Sequence, residues 1–161
     1  MINILINPEK SLKIQIKSQI LQQLEKRDRV AIICPEQDAH FYEKHRWRSK
    51  IIPFECAKDM RIDNSIPLTI FTYPTNQDNE NLKEKAYEII IHILKQTFDY
   101  LFIDGIDVVL EKTIQKGEIQ RFINVLNDCF PLTHIVIATS LNRSSKKLKI
   151  LKIINKIRLI F

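Results

Sequence analysis

Phe98-Asp99-Tyr100-Leu101-Phe102-Ile103-Asp104-Gly105-Ile106-Asp107 is an apolar run that ends abruptly in an acid, then a glycine, then a second acid. A buried strand of an α/β sheet ends this way, its last residue emerging at the edge where ligands bind. Outward from it lie other uniformly apolar runs: Arg29 to Cys34 (RVAIIC), Ile66 to Thr72 (IPLTIFT) and His134 to Thr139 (HIVIAT). Strands apolar at every position belong to a parallel sheet covered on both faces. Helical spacing fills the intervals. Ser11 can cap a helix with Leu12, Ile16, Ile20, Leu21 and Leu24 inward. Residues 82–97 place Ala86, Ile89, Ile90, Ile93 and Leu94 on one face. After Gly117, Ile119, Phe122, Ile123, Leu126 and Cys129 do the same.

Shorter signals complete the pattern. Met1 to Ile6 reads as a strand closed by Asn7-Pro8, Gln37 to Trp47 as a short helix, and Lys50 to Pro53 as a short strand. Residues 57–66 read as a loop, Lys146 to Asn155 as a helix, and Ile157 to Phe161 as a last strand. The expectation is an α/β fold of three layers, α/β/α, around a mainly parallel sheet. Its central strands are 29–34, 68–72, 99–104 and 134–139, with Asp104, Cys34 and Thr139 near one carboxyl edge.

The 161 residues suit one domain, 1–161, with 45% apolar and 27% charged residues, as in ordinary globular proteins. No apolar run approaches the roughly 18 residues of a membrane span. No basic stretch precedes the few apolar residues of MINILI, so a signal peptide is not expected. Cys34, Cys56 and Cys129 are odd in number and far apart, which fits reduced thiols and a cytoplasmic location. Without a CxxC pair or a His/Cys cluster, no metal site is expected.

The net charge of +6 is unevenly spread. Arg143, Lys146, Lys147, Lys149, Lys152, Lys156 and Arg158 lie in a segment without an acid, and subtracting these seven from +6 leaves −1 for the rest. An anionic partner would be sought there.

The chain has only two glycines, Gly105 and Gly117, so GxxxxGK[ST] cannot be written anywhere in it. Yet the Asp104 strand has the pattern of the Walker B strand of P-loop ATPases, whose acid faces the metal-bound nucleotide. With Phe102-Ile103-Asp104-Gly105-Ile106-Asp107-Val108-Val109-Leu110, followed by a helix at Glu118 to Asp128, a strand at Ile135 to Thr139 and a closing segment at Lys146 to Phe161, the chain resembles an archaeal family of unknown function. That family is related to the RecA/KaiC-like ATPases and lacks the phosphate loop. The resemblance implies a RecA-like, degenerate P-loop fold, a regulatory role, and self-association or docking onto a true ATPase. It carries over no catalytic residue. The loop after Cys34 (Pro35-Glu36-Gln37-Asp38) is acidic and would repel a phosphate.

Each candidate site has two readings. Asp104 and Asp107 are either a Walker-B-like pair facing a metal or nucleotide, or acceptors for the following turn. Glu36, Asp38, Asp104 and Asp107 could converge on a metal in a nuclease, but no histidine or lysine stands at a diagnostic spacing. Tyr42, Lys44, His45, Arg46, Trp47, Arg48 and Lys50 could stack on and neutralise single-stranded nucleic acid, or could be aromatics packed on the sheet among solvated charges. The C-terminal lysines are either a solvated helix face or a surface for nucleic acid or an acidic partner. Ser140, Ser144 and Ser145 lack a GxSxG context.

No catalytic constellation is recognised, so the sequence points to a non-catalytic regulatory or assembly module acting through protein contacts. No cofactor is expected, ATP with magnesium included, and no membrane partner. The alternative is a nucleic-acid-binding protein working through the basic C-terminal segment. In that case affinity falls steeply with salt as counterions are released. Changing Lys146, Lys147 and Lys149 together to Glu then abolishes binding in an electrophoretic shift assay while the circular dichroism spectrum stays folded. Undiminished binding by the triple variant removes that segment as the site.

Overall fold

The computed structural model describes residues 2–6, 12–43, 47–75, 80–104, 116–139 and 157–160. The strands are β1 (Ile2–Ile6), β2 (Val30–Pro35), β3 (Ser49–Pro53), β4 (Leu68–Tyr73), β5 (Tyr100–Asp104), β6 (His134–Thr139) and β7 (Ile157–Ile160). The helices are α1 (Leu12–Glu25), the single turn α2 (Ala39–Tyr42), α3 (Glu80–Leu94) and α4 (Lys116–Cys129). Short 3-10 turns stand at Glu36–Asp38 and Phe54–Lys58.

The described strands form one seven-stranded sheet in the order β3-β4-β2-β5-β6-β1-β7. Every pairing is parallel. A parallel neighbour cannot be reached by a tight hairpin, so each connection crosses a face of the sheet. Alternate strand residues therefore meet different layers. Val30, Ile32, Cys34, Leu68, Ile70, Phe102, Val136 and Ala138 pack with Ile16, Ile20 and Leu24 of α1 and with Ala39 and Tyr42 of α2. Ala31, Ile33, Phe71, Tyr73, Leu101, Ile103, Ile135 and Ile137 pack with Ala86, Ile89, Ile90, Ile93 and Leu94 of α3 and with Leu126 of α4. This is why the central strands read as continuous apolar runs. The edge strand β3 has only Ile52 buried and carries Lys50 and Pro53, which suit an edge.

The fold is the expected three-layer α/β arrangement, with the four expected central strands adjacent in the sheet. The expected helix from Gln37 to Trp47 is shorter. After the 3-10 turn only Ala39–Tyr42 is helical, and Glu43 is extended with φ −61° and ψ 140°. The cause is anchoring. Tyr42 is held at the carboxyl edge, whereas Ser49 opens β3 at the opposite edge seven residues later. Extended chain covers about 3.3 Å per residue and helix only about 1.5 Å. Gly117 falls inside the first turn of α4 rather than before it.

With so few glycines, two helix ends are closed by other residues. Arg27 (φ 68°) follows α1 and Thr97 (φ 60°) follows α3. At Arg27 the bonds are Asp28 N–H to Gln23 O at 3.1 Å and Arg27 N–H to Leu24 O at 3.1 Å. This is the Schellman pattern, whose left-handed position favours glycine. Arg29 then joins the two helix ends. Its guanidinium donates to Gln96 O at 3.1 Å, Thr97 O at 2.8 Å and Thr97 Oγ1 at 2.9 Å, and lies over the Phe98 ring at 4.8 Å. The left-handed conformation costs a non-glycine residue about 1–2 kcal/mol, partly offset by the greater backbone entropy glycine loses. Arg27→Gly is therefore expected to raise the unfolding free energy by about 0.5–1 kcal/mol in urea titrations, and a loss of stability would contradict this account of the α1 terminus.

Candidate active-edge carboxylate

Because all pairings are parallel, every strand ends at the same edge. The register sets Ile33 beside Ile103, so Cys34 stands level with Asp104, and Asp104 is paired with Ala138, one residue before Thr139. Asp104 shares the parity of Phe102, which puts its side chain on the α1/α2 face. It is 6% exposed, while Tyr42 and Cys34 are fully buried at 0%.

Tyr42 reaches Asp104 across the top of the sheet. Its hydroxyl donates to Asp104 Oδ2 at 2.5 Å. From the other face, the Tyr73 hydroxyl donates to the Asp104 backbone carbonyl at 2.8 Å. The end of β5 is thus tied down by two phenols, one on the side chain and one on the main chain. Nearby, Lys13 of α1 forms an ion pair with Asp38 at 2.5 Å. Lys17, one helical turn later, donates to the Phe41 carbonyl and lies 4.5 Å from the centroid of the Phe41 ring.

The electrostatics follow from burial. Desolvation pushes the Asp104 carboxyl above its ordinary value, and Asp38 adds to this, while the Tyr42 hydrogen bond and the Lys13 charge pull the other way. Burial pushes the Tyr42 phenol well up, and the Asp104 carboxylate and its hydrogen bond push it further, so it stays a neutral donor. The Cys34 thiol is raised by burial first and by Asp104 second, so it is not an activated nucleophile. One carboxylate shielded from water and capped by a phenol can store or accept a proton.

The other candidate residues do not gather here. Among the described residues no group of three His, Cys, Asp or Glu could hold a metal ion. Glu36 is exposed and Asp38 is paired with Lys13. Trp47 is half-buried against the α1-face core. Arg48 reaches Ser65 Oγ at 3.4 Å, close to the start of β3 and so at the amino edge, away from Asp104. Asp107, Arg46, Arg143, Lys146, Lys147, Lys149, Lys152 and Lys156 lie outside the described residues, and Arg158 stands on β7. Reading the sequence did not find Tyr42, Tyr73, Lys13 and Lys17 as neighbours of Asp104. They lie 31 to 91 residues from it in sequence, and no local spacing links them.

Neither a family model nor the sequence of a curated protein matches the chain. Solved structures do. One is the genome packaging NTPase B204 from Sulfolobus turreted icosahedral virus 2, in complex with ATP-gammaS, with a TM-score of 0.51 and 14% identity over 86% of this chain. This chain spans 64% of that NTPase. Another is the flagellar accessory protein FlaH from Methanocaldococcus jannaschii, with a TM-score of 0.55 and 12% identity over 98% of this chain and 69% of FlaH. The likeness is one of fold: the chain has the mainly parallel, helix-flanked sheet of the RecA-like P-loop NTPases.

The raised carboxyl of Asp104 has a consequence for stability. Between the ordinary value of 3.8 and the raised one, the folded chain holds a proton that the unfolded chain has released. The Asp104 contribution is therefore present below this window and is lost as pH rises through it. Asp104→Asn keeps an acceptor for Tyr42 and does not titrate. The unfolding free energy of the variant relative to wild type is expected to shift in the variant's favour from about pH 4 upward. A shift in favour of wild type over that range would show that Asp104 is held as a stabilised carboxylate.

Proposed function

We propose that this protein is a non-catalytic regulatory or assembly module, built on a degenerate RecA-like ATPase fold and acting in the cytoplasm through protein contacts. The occupancy of Asp104 carries the reading. The acid at the Walker-B-like position accepts from Tyr42 at 2.5 Å and is almost wholly buried, so its Oδ2 is committed to the protein itself. The sequence supports the same view. The connection from β1 to α1 has the strand–loop–helix order of a phosphate loop. It reads Asn7-Pro8-Glu9-Lys10-Ser11, ending in the Lys-Ser pair of the motif but with no glycine to let backbone amides cradle a phosphate.

Partnership with an active ATPase or self-association fits the neighbours' names, one for genome packaging and the other for a flagellar accessory role. The concentration of positive charge in residues 143–158 favours, as a second reading, nucleic-acid binding by that segment, with Trp47 and Arg48 contributing at the amino edge. Among the described residues no helix is long and apolar enough to cross a membrane.

The deciding measurement for the first reading is calorimetric titration of the whole chain with ATP and magnesium, alongside a phosphate-release assay. No binding heat and no turnover are expected. A dissociation constant in the micromolar range, or any turnover that Asp104→Asn abolishes, would restore an ATPase.

A further inference from the structure

Residues 36–42 are joined to the fold in an unusual way. They begin after Pro35 (φ −56°, ψ 145°) and end at Glu43 (φ −61°, ψ 140°), so extended backbone flanks them on both sides. Neither the 3-10 turn nor α2 has a side-chain cap. Only Ala39 and Tyr42 anchor the segment in the core, and the rest of it is held by polar contacts from neighbouring elements. Lys13 grips Asp38, Lys17 grips the Phe41 carbonyl and ring, and Thr75 Oγ1 donates to Gln37 Oε1 at 3.0 Å. Lys13 and Lys17 are four residues apart and so lie on one stripe of α1. Phe41 passes the constraint on, because its ring meets Tyr42 edge to face at 5.3 Å. Tyr42 in turn covers Asp104.

We propose that residues 36–42 are a lid over the carboxyl-edge acid, clamped shut by Lys13 and Lys17, and that the lid opens as a local unit while the sheet stays folded. The inference goes beyond the module reading and does not depend on which partner the protein binds. The clamp is made of a few polar contacts at the rim of the fold, each individually weak, and the lid buries only Ala39 and Tyr42, whereas the strands beneath are buried on both faces. Opening energies differ between such regions. Raising the lid uncovers two groups together: the Asp104 carboxylate, and the thiol of Cys34, which is the penultimate residue of β2 and belongs to the same buried cluster as Ala39 and Tyr42. In the closed form the Asp104 carboxylate lies under Tyr42, and in the open form it is accessible. The clamp lysines thereby set how often this edge is available.

Cys34 supplies the readout. In a Cys56→Ser, Cys129→Ser background it is the only thiol, and its reaction with an aromatic disulfide reagent reports lid opening. The background protein is expected to label slowly, with a rate that rises only weakly with urea at low concentrations, the mark of a local opening. Lys13→Ala with Lys17→Ala is expected to speed labelling about tenfold at an unchanged shallow urea slope, the combined effect of two contacts of this class. Lys26→Ala, just past the end of α1 and away from the lid, is expected to leave the rate unchanged. An unchanged rate in the double variant overturns the clamp. Labelling whose urea slope equals that of global unfolding in both proteins overturns the lid, even if the double variant is less stable overall.

Discussion

The parallel pairing of the sheet is the constraint from which the rest follows. A parallel strand can only be reached by a crossover, and every crossover covers a face. Two covered faces demand strands buried at both parities, which β2 and β4 are, from Val30 to Cys34 and from Leu68 to Tyr73, with Thr69 and Thr72 as the polar side chains among them. Polarity then has only the strand ends in which to return. The two edges of the sheet are where charge, hydrogen bonding and any function must gather.

The structure treats those edges differently. At the amino edge Arg29 is a fastener. Its backbone N–H donates to Asp99 Oδ2 at 2.7 Å, its carbonyl accepts from Asp99 N–H at 2.9 Å, and its guanidinium collects the last carbonyls of the α3 terminus. Those carbonyls are free for it because Thr97 turns the chain out of the helix with a positive φ. At the carboxyl edge Asp104 is the buried acid. Asp104 has one phenol on its carboxylate, burial and the Asp104 and Asp38 charges outweigh Lys13 at the Cys34 thiol, and the hydrogen bonds of Lys13 and Lys17 go to the turn at 38–41.

This contrast separates fold from chemistry. The likeness to a packaging NTPase and to a flagellar accessory protein concerns the scaffold, and scaffolds of this kind host many activities. A nucleotide site in such a scaffold needs amides for the phosphates and an open carboxylate for the metal. Here the β1–α1 connection has no glycine, and the carboxylate lies under Tyr42. The Tyr42–Asp104 hydrogen bond fastens the α1/α2 layer of this protein to its sheet.

The alternating pattern of apolar runs and helical stripes was sufficient to read the layers, the central strands and the carboxyl-edge position of Asp104, because periodicity and burial are local properties of the chain. The end of the expected Gln37–Trp47 helix was not readable. It is decided by where Tyr42 must reach and where β3 must start, both non-local. Nor could the sequence distinguish an acid facing solvent from one capped by a phenol. Tyr42 stood in a basic-aromatic cluster that suggested base stacking. Tertiary structure sends it to Asp104, 62 residues away, and sends Trp47 against the α1-face core and Arg48 to the opposite edge. Local patterning determines which residues are buried. Only the folding of distant strands onto one edge determines which polar groups must be buried together, and that pairing set the state of Asp104.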